Sequence, residues 1–578
     1  MTEDVIFTPL KFRNLTVKNR IFRSNISGRF DNEDGSLTQT RINWECKFAA
    51  GGIGAVISSY VPVLMEGRII AGYATIHRDD FIPLWQRLGE AVHQYDCKYI
   101  MQLSHSGRQM DLPGVHNSHR PSLSSTSRKE SLHGFLCRAA SKAEIDHLVQ
   151  AFAAGAWRAR EAGLDGVELH AANGYLFTQF LSSGINDRAD EYGGSLQNRA
   201  RFLLEVIRAV RARVGRDFHL QVKLSAVDRN NVIPWEKKGN VLADTIEVAK
   251  WCESEGADAI HVSTGSLFPH PLNPPGDFSF ETIATTYDAM ISSGVDAFRN
   301  FLLFRYRLLR PIFRWIWFRM KKGLPVEGVS LDEARAIKAN VSVPVLNTGG
   351  YQTASFIRDG INSGAFDGVA IARSLVANND LVRQWQMGRD SPERPCTYCN
   401  KCLLNAPKNP MGCYELARYP SREAMIDELM TIYATRATLN LPPVDPGREP
   451  SVPPGDVTKG GTKDSADDLT AELSRLAVRK HFDIRIGGLY DRLRESDLPK
   501  IGAGVGRNTT VRNTTIRTVA PAGGATVALA PLPENERRVS IWIGEGVEGR
   551  KITLKIGDTY DLNFKVGSPV GDSAACRK

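Results

Sequence analysis

Two groups of residues in this 578-residue chain have types and spacings that could do chemistry. The first is His170-x-x-Asn173-x-Tyr175. A histidine and an asparagine side by side can donate two hydrogen bonds to one carbonyl oxygen, and a tyrosine hydroxyl beside them can deliver a proton. A histidine at a strand end also serves as a structural hydrogen-bonding group, and that reading stands next to the catalytic one. The second group is Cys396-x2-Cys399-x2-Cys402-x10-Cys413, which puts four of the nine cysteines within eighteen residues. Four thiolates at this spacing suit an iron–sulfur cluster, with zinc as the alternative. Cys46, Cys97, Cys137, Cys252 and Cys576 are scattered and read as structural.

Such residues act only if a scaffold positions them. Short apolar runs, often β-branched and bounded by Gly, Asp, Pro or Asn, occur at 20–24, 54–58, 99–103, 166–170, 219–224, 258–262, 343–347 and 367–371. That is the pattern of buried parallel strands. Amphipathic stretches separate them, such as 142–162 and 198–214, and Ser141 with Glu144 has capping-box spacing before the former. Eight such units predict an α/β fold, a (β/α)8 TIM barrel. A doubly wound sheet is the alternative, disfavoured because polar residues sit at the C-terminal ends of many different strands. His170 ends the fourth run, with Asn173 and Tyr175 in the loop beyond it.

Composition is ordinary: 42% hydrophobic, 24% charged, mean hydropathy -0.26. Wholesale disorder and a multi-span membrane protein are excluded. Lys+Arg 73 against Asp+Glu 64 leaves +9, a mild excess that gives no reason to expect nucleic acid. MTEDVIFTPLKFRN has no apolar signal-peptide core, so a cytoplasmic location is expected, where clustered cysteines point to metal before disulfide.

The motifs together resemble the flavin-dependent Old Yellow Enzyme family over about residues 5 to 415. The likeness is carried by Thr8-Pro-Leu, Lys18-Asn19-Arg20-Ile21, Gln102-Leu-Ser-His105-Ser-Gly107-Arg108-Gln109, His-x-x-Asn-Gly-Tyr-Leu from His170, Asn186 to Arg199, His261-Val-Ser263, Gly349-Gly350 and Ala372-Arg373. The resemblance implies noncovalent FMN at the top of the barrel. Gln102 would meet the pyrimidine edge, and Ser24 and Ser27 would lie beside the ring. Lys223 would stand near N1/O2 where the family usually has Arg, and Gly349, Gly350, Ala372 and Arg373 would hold the phosphate. It implies a ping-pong cycle in which NAD(P)H supplies a hydride that passes to an activated alkene. His170 and Asn173 would polarise the small-molecule substrate's carbonyl, and Tyr175 would protonate the α-carbon. Asn25-Ile26 departs from the family's usual Pro-Met.

The cysteine motif resembles that of the family's 2,4-dienoyl-CoA reductase and trimethylamine dehydrogenase subgroup, which implies a [4Fe-4S] cluster on Cys396, Cys399, Cys402 and Cys413. That subgroup continues into FAD- and NAD-binding domains. Here Ile501-Gly502-Ala-Gly504-Val-Gly506 lacks the flanking strand and helix and reads as a loop. An electron-donor protein is therefore a second electron source beside NAD(P)H. Rival functions are amine dehydrogenation or demethylation with electrons leaving through the cluster, and a non-catalytic flavin-binding interaction protein.

Two segments break the barrel pattern. Residues 298–322 carry eight Arg or Lys, no acid, and many Phe, Trp and Leu. Recurrent arginines and Pro311 argue against a spanning helix. An interfacial helix, giving peripheral membrane or partner contact, and a lid over the active site are the two readings. Residues 439–465 are rich in Pro and Gly and read as a linker. The expected domains are thus 1–395 (the barrel), 396–438 (the cysteine segment and a helix), 439–465, and 466–578. The last is a small β-rich domain with two helical stretches and a hairpin through Gly557-Asp558.

Overall fold

The computed structural model describes residues 4–110, 120–229, 237–267, 270–321 and 323–433, together with five strand segments between 516 and 562. Eight parallel strands close on themselves: β1 Ile21–Arg23, β2 Ala55–Ile57, β3 Lys98–Ser104, β4 Gly166–Ala171, β5 His219–Ser225, β6 Ala259–Ser263, β7 Val345–Asn347 and β8 Gly368–Ile371. Each pairs with its neighbours in sequence, and β8 returns to β1 with Val369 opposite Ile21. The register sets Lys223 opposite both His170 and His261, so three polar side chains share one level of the barrel.

Helices between the strands form the outer layer: α1 Gln39–Ala49, α2 Ile82–His93, α3 Lys142–Glu161, α4 Leu196–Val214 and α5 Leu242–Ser254. The capping box at Ser141 and Glu144 is formed, and it fixes where α3 starts. Helix α4 ends at Gly215, whose φ of 73° gives the chain its left-handed exit. An antiparallel ribbon, Leu10–Lys11 with Thr16–Val17, plugs one end of the barrel. The Phe12 ring lies 4.7 Å from His219, the first residue of β5, so the plugged end is the N-terminal one. The C-terminal end is left for chemistry.

After β6 comes an insertion: α6 Phe280–Thr286, a 3-10 turn, α7 Val295–Arg305 and α8 Arg310–Lys321. Pro311 sits at the start of α8, where its missing N–H costs nothing, and does not break it. The remaining barrel helices are α9 Leu331–Lys338, α10 Ala354–Asn362 and α11 Arg373–Ala377.

A second compact unit holds the C-terminal strands. Val527–Ala530, Arg538–Ile543 and Arg550–Lys555 form an antiparallel sheet, and Tyr560–Leu562 pairs in parallel with Ile516–Thr518. This corrects the expected hairpin: 550–555 pairs with 538–543, and 560–562 takes a different partner. Residues 439–465, the helical stretches near 466–480 and 488–495, and the 501–506 glycine run lie outside the described residues.

Candidate active site

A cavity of about 320 Å³ opens among the C-terminal ends of the strands. Its wall brings together Ser24, Ser27, His170, Asn173, Tyr175, Lys223, Gly349, Gly350, Ala372 and Arg373, which arise from five different strand ends.

His170 is buried at the end of β4, and neither ring nitrogen has a hydrogen-bond partner among the described residues. Burial, reinforced by the Lys223 cation, holds its pKa well below the usual histidine value, so the ring is neutral. A neutral imidazole keeps one N–H donor, here aimed at no protein atom. The Tyr175 ring packs 4.8 Å from His170 and 5.2 Å from Tyr60. Burial raises its pKa, so the phenol keeps its proton.

Asn173 has a φ of 62°, and that left-handed turn aims its amide at the β6 loop. Its two amide hydrogens already have acceptors, Asn273 Oδ1 at 2.7 Å and the Thr264 carbonyl at 3.1 Å. The expected shared grip of His170 and Asn173 on one carbonyl therefore is not preformed: His170 is free and Asn173 is engaged.

Lys223 Nζ donates to Asn25 Oδ1 at 2.5 Å. Two of the positions where the chain departs from the family pattern are thus bonded to each other. Burial pulls the lysine down to about 8, against the opposing pull of Glu168. Gln102 does not reach the cavity wall. Its amide nitrogen donates to Glu168 Oε1 at 2.7 Å, because that buried carboxylate needs donors. Gln221 and His261 Nδ1 supply the others. Burial would raise the Glu168 pKa, but these partners outweigh it and hold it at about 2. His261 Nε2 lies 2.6 Å from Thr348 Oγ1, so the chain of contacts surfaces at the cavity through Thr348. Sequence reasoning missed this network, along with Tyr60, Asn273 and Thr348.

At the β7 and β8 ends, Gly350 has a φ of 75°, and a Cβ there would meet the Val326 carbonyl at 2.5 Å. Only glycine fits. The N–H groups of Gly349 and Gly350 make no hydrogen bond among the described residues. Arg373 is buried, with Nη1 held by the Pro275 carbonyl and Asn400 Oδ1, while Nε and Nη2 have no protein partner among the described residues. A fixed guanidinium with spare donors beside free backbone N–H groups suits a phosphate. With Lys223 at the opposite wall, the residues present fit FMN.

The cysteine segment forms part of the same wall through Tyr398, Asn400 and Leu404. Tyr398 and Asn400, flanking Cys399, both have left-handed φ, 54° and 57°. Their contacts hold the strained loop: the Tyr398 hydroxyl donates to the Gly350 carbonyl at 2.5 Å, and Asn400 Nδ2 to the Asp277 carbonyl at 2.8 Å. The CxxCNxC spacing marked this loop, but nothing in it indicated that Tyr398 and Asn400 line the cavity. Burial raises the pKa of Cys396, Cys399 and Cys402, and the Cys402 thiol feels Cys396, Cys413 and Cys399. The four thiols are thus within electrostatic reach of one another. Among the described residues, however, no three His, Cys, Asp or Glu side chains stand in metal-coordinating geometry.

The insertion contributes a roof. Trp317 lines the cavity, packs with its ring 4.4 Å from that of Phe278, and donates from Nε1 to the Gly276 carbonyl at 2.9 Å. Phe301, Phe304 and Phe313 pack on the same buried cluster. Trp315 and Phe318 face outward, 59% and 58% exposed. Apolar residues occur all round α8, and only one stripe reaches the barrel.

Residues 5–288 match the NADH:flavin oxidoreductase / NADH oxidase family. The chain is 31% identical over 437 residues to an NADH oxidase of Thermoanaerobacter brockii, covering 73% of this chain and 59% of that one. It is 35% identical over 308 residues to an NADPH dehydrogenase of Geobacillus sp. (strain WCH70), covering 51% of this chain and 86% of the relative. Among solved structures, a 2-naphthoyl-CoA reductase shares the fold with a TM-score of 0.58 and 24% identity, covering 71% of this chain and 56% of that one. The chain thus spans well under two thirds of the NADH oxidase.

Proposed function

Because the chain belongs to the NADH:flavin oxidoreductase / NADH oxidase family, we propose that it uses FMN and NAD(P)H to reduce the activated C=C bond of an unsaturated carbonyl compound. One observation carries this reading: a buried, neutral His170 whose ring nitrogens meet no protein atom, with the protonated Tyr175 phenol packed against it. When bound, FMN supplies a two-electron carrier that accepts a hydride from NAD(P)H and yields it to the alkene β-carbon. His170 donates a hydrogen bond to the substrate carbonyl oxygen as negative charge grows there. Tyr175 gives its proton to the α-carbon. Asn173 joins His170 at the carbonyl by exchanging its bond to Asn273. Lys223 places positive charge at the polar edge of the ring system, and Arg373 with Gly349 and Gly350 holds the phosphate. Ser24, Ser27 and Ala372 complete the wall against the ring and phosphate, and Gln102 acts at one remove through Glu168.

Cys396, Cys399, Cys402 and Cys413 would hold a [4Fe-4S] cluster, supplying one-electron transfer from a donor protein. The hydrogen bond from Arg373 to Asn400, which stands between Cys399 and Cys402, supports a cluster site next to the phosphate end of the cavity.

The test is anaerobic. Protein reconstituted with FMN is bleached with NADPH and then mixed with 2-cyclohexenone or an enoyl ester. Reoxidation that is lost in His170→Ala is expected. Rapid bleaching by NADPH with no reoxidation by any unsaturated carbonyl compound refutes the substrate assignment.

A further inference from the structure

We propose that the α7–α8 insertion docks the protein on an anionic lipid surface. Its inner stripe is committed to the barrel, with Phe313 stacked 5.8 Å from Phe280 and Trp317 hydrogen-bonded to the Gly276 carbonyl. The helices therefore cannot roll to hide their other side. That side exposes Leu302 (51%), Tyr306 (62%), Leu308 (78%), Ile312 (53%), Trp315 (59%) and Phe318 (58%). Isolated exposed apolar residues are ordinary, but these six fall within 302–318, with Ile312, Trp315 and Phe318 at three-residue spacing on α8, and such a concentration marks an interaction surface.

Charge selects the occupant. Residues 298–322 carry eight basic and no acidic side chains. Arg299, Arg314 and Lys321 are paired with Asp296, Glu281 and Asp277 from outside the segment. Arg305, Arg307 and Arg319 have no acidic partner among the described residues. Arg319 lies 5.4 Å from the exposed Trp315 ring, so a cation rises from the apolar patch itself, while Arg305 lies 4.2 Å from Phe301 on the packed side. A protein partner would need acids matched to each arginine. A sheet of anionic headgroups over acyl chains meets both the unpaired guanidiniums and the tryptophan and phenylalanine between them. No described helix is long and apolar enough to cross a membrane, so the contact is peripheral.

The experiment uses the full chain with phosphatidylcholine vesicles, with and without 30 mol% phosphatidylglycerol (about 30%, enough for a negative surface), in a sedimentation assay. Binding to the anionic vesicles only is expected, weakening with salt. A basic residue near such a surface strengthens binding by about fivefold, so R305Q/R307Q/R319Q should lower partitioning by about a hundredfold. W315S/F318S should lower it too. Both variants should keep the wild-type melting temperature, because the changed side chains are outside the packed stripe. Failure of the wild type to bind, or binding that both variants leave intact, overturns the proposal. So does self-association that W315S/F318S abolishes without any vesicle binding, which would make the patch a contact between copies.

Discussion

Replacing Tyr175 by Phe isolates a single atom. The ring is held by His170 at 4.8 Å and Tyr60 at 5.2 Å, contacts that phenylalanine keeps. The hydroxyl makes no hydrogen bond to protein among the described residues, so its removal orphans no partner, and stability should change by less than about 0.5 kcal/mol. What is lost is the proton donor. General-acid catalysis is worth about 10²–10⁴-fold, or about 3–5 kcal/mol of barrier. The phenol pKa is raised by burial, so the wild-type donor stays loaded from pH 6 to about 9 and the loss should be the same across that range. The assay is anaerobic stopped flow in two halves. Bleaching of bound FMN by NADPH should be unaltered, because no proton goes to a substrate carbon there. Reoxidation by an enone should slow by the full factor, and by a nitroalkene much less, since its reduced anion is stable enough to leave unprotonated. Reoxidation of Tyr175→Phe within threefold of wild type for every enone would remove Tyr175 from the proton path.

Arg373→Gln should weaken FMN binding by about tenfold to a hundredfold, the worth of one or two charge-assisted hydrogen bonds, as measured by fluorescence on reconstitution of the apoprotein. Lys223 is held down to about 8, so it is charged below that pH and neutral above it. FMN affinity of the apoprotein should therefore fall as pH rises through 8, and Lys223→Gln should flatten that step. Cys399→Ser should abolish iron and acid-labile sulfide while FMN remains at full occupancy; stoichiometric zinc without iron in anaerobically prepared wild type would contradict the cluster. Gly350→Ala forces a side chain into left-handed backbone and against the Val326 carbonyl, and should cost about 2 kcal/mol or more in a denaturant melt.

The barrel was legible because its strands obey a local rule. A strand buried on both faces is a short apolar run ended by turn residues, and all eight runs became strands within one or two residues of their expected ends. His170 was legible for a related reason: barrel chemistry collects at the C-terminal ends of strands, so locating the strand locates the side chain. Lys223 and Arg373 were read from the family resemblance. The α3 start was written in Ser141 and Glu144, which satisfy each other within four residues.

Contacts between distant residues were not written locally. Asn173 and Asn273 are 100 positions apart, and only closure of β4 against the β6 loop reveals that the asparagine amide is already engaged. Nothing local to Gln102, Glu168 or His261 says that they meet one another. The barrel register turns them into one buried network and draws Gln102 away from the cavity. The insertion shows the limit most clearly. Its composition announced both an apolar and a basic character, but apolar side chains occupy every side of α8, so periodicity could not say which would be buried. Phe278 and Phe280, supplied by the preceding loop and helix, selected Trp317 and Phe313 for the roof and left Trp315 and Phe318 outside. The sequence by itself determined the barrel and the strand ends where chemistry gathers, because those follow from neighbours along the chain. Only the tertiary structure decided which polar groups are already paired and which face of α8 is free, because those depend on what the fold brings alongside.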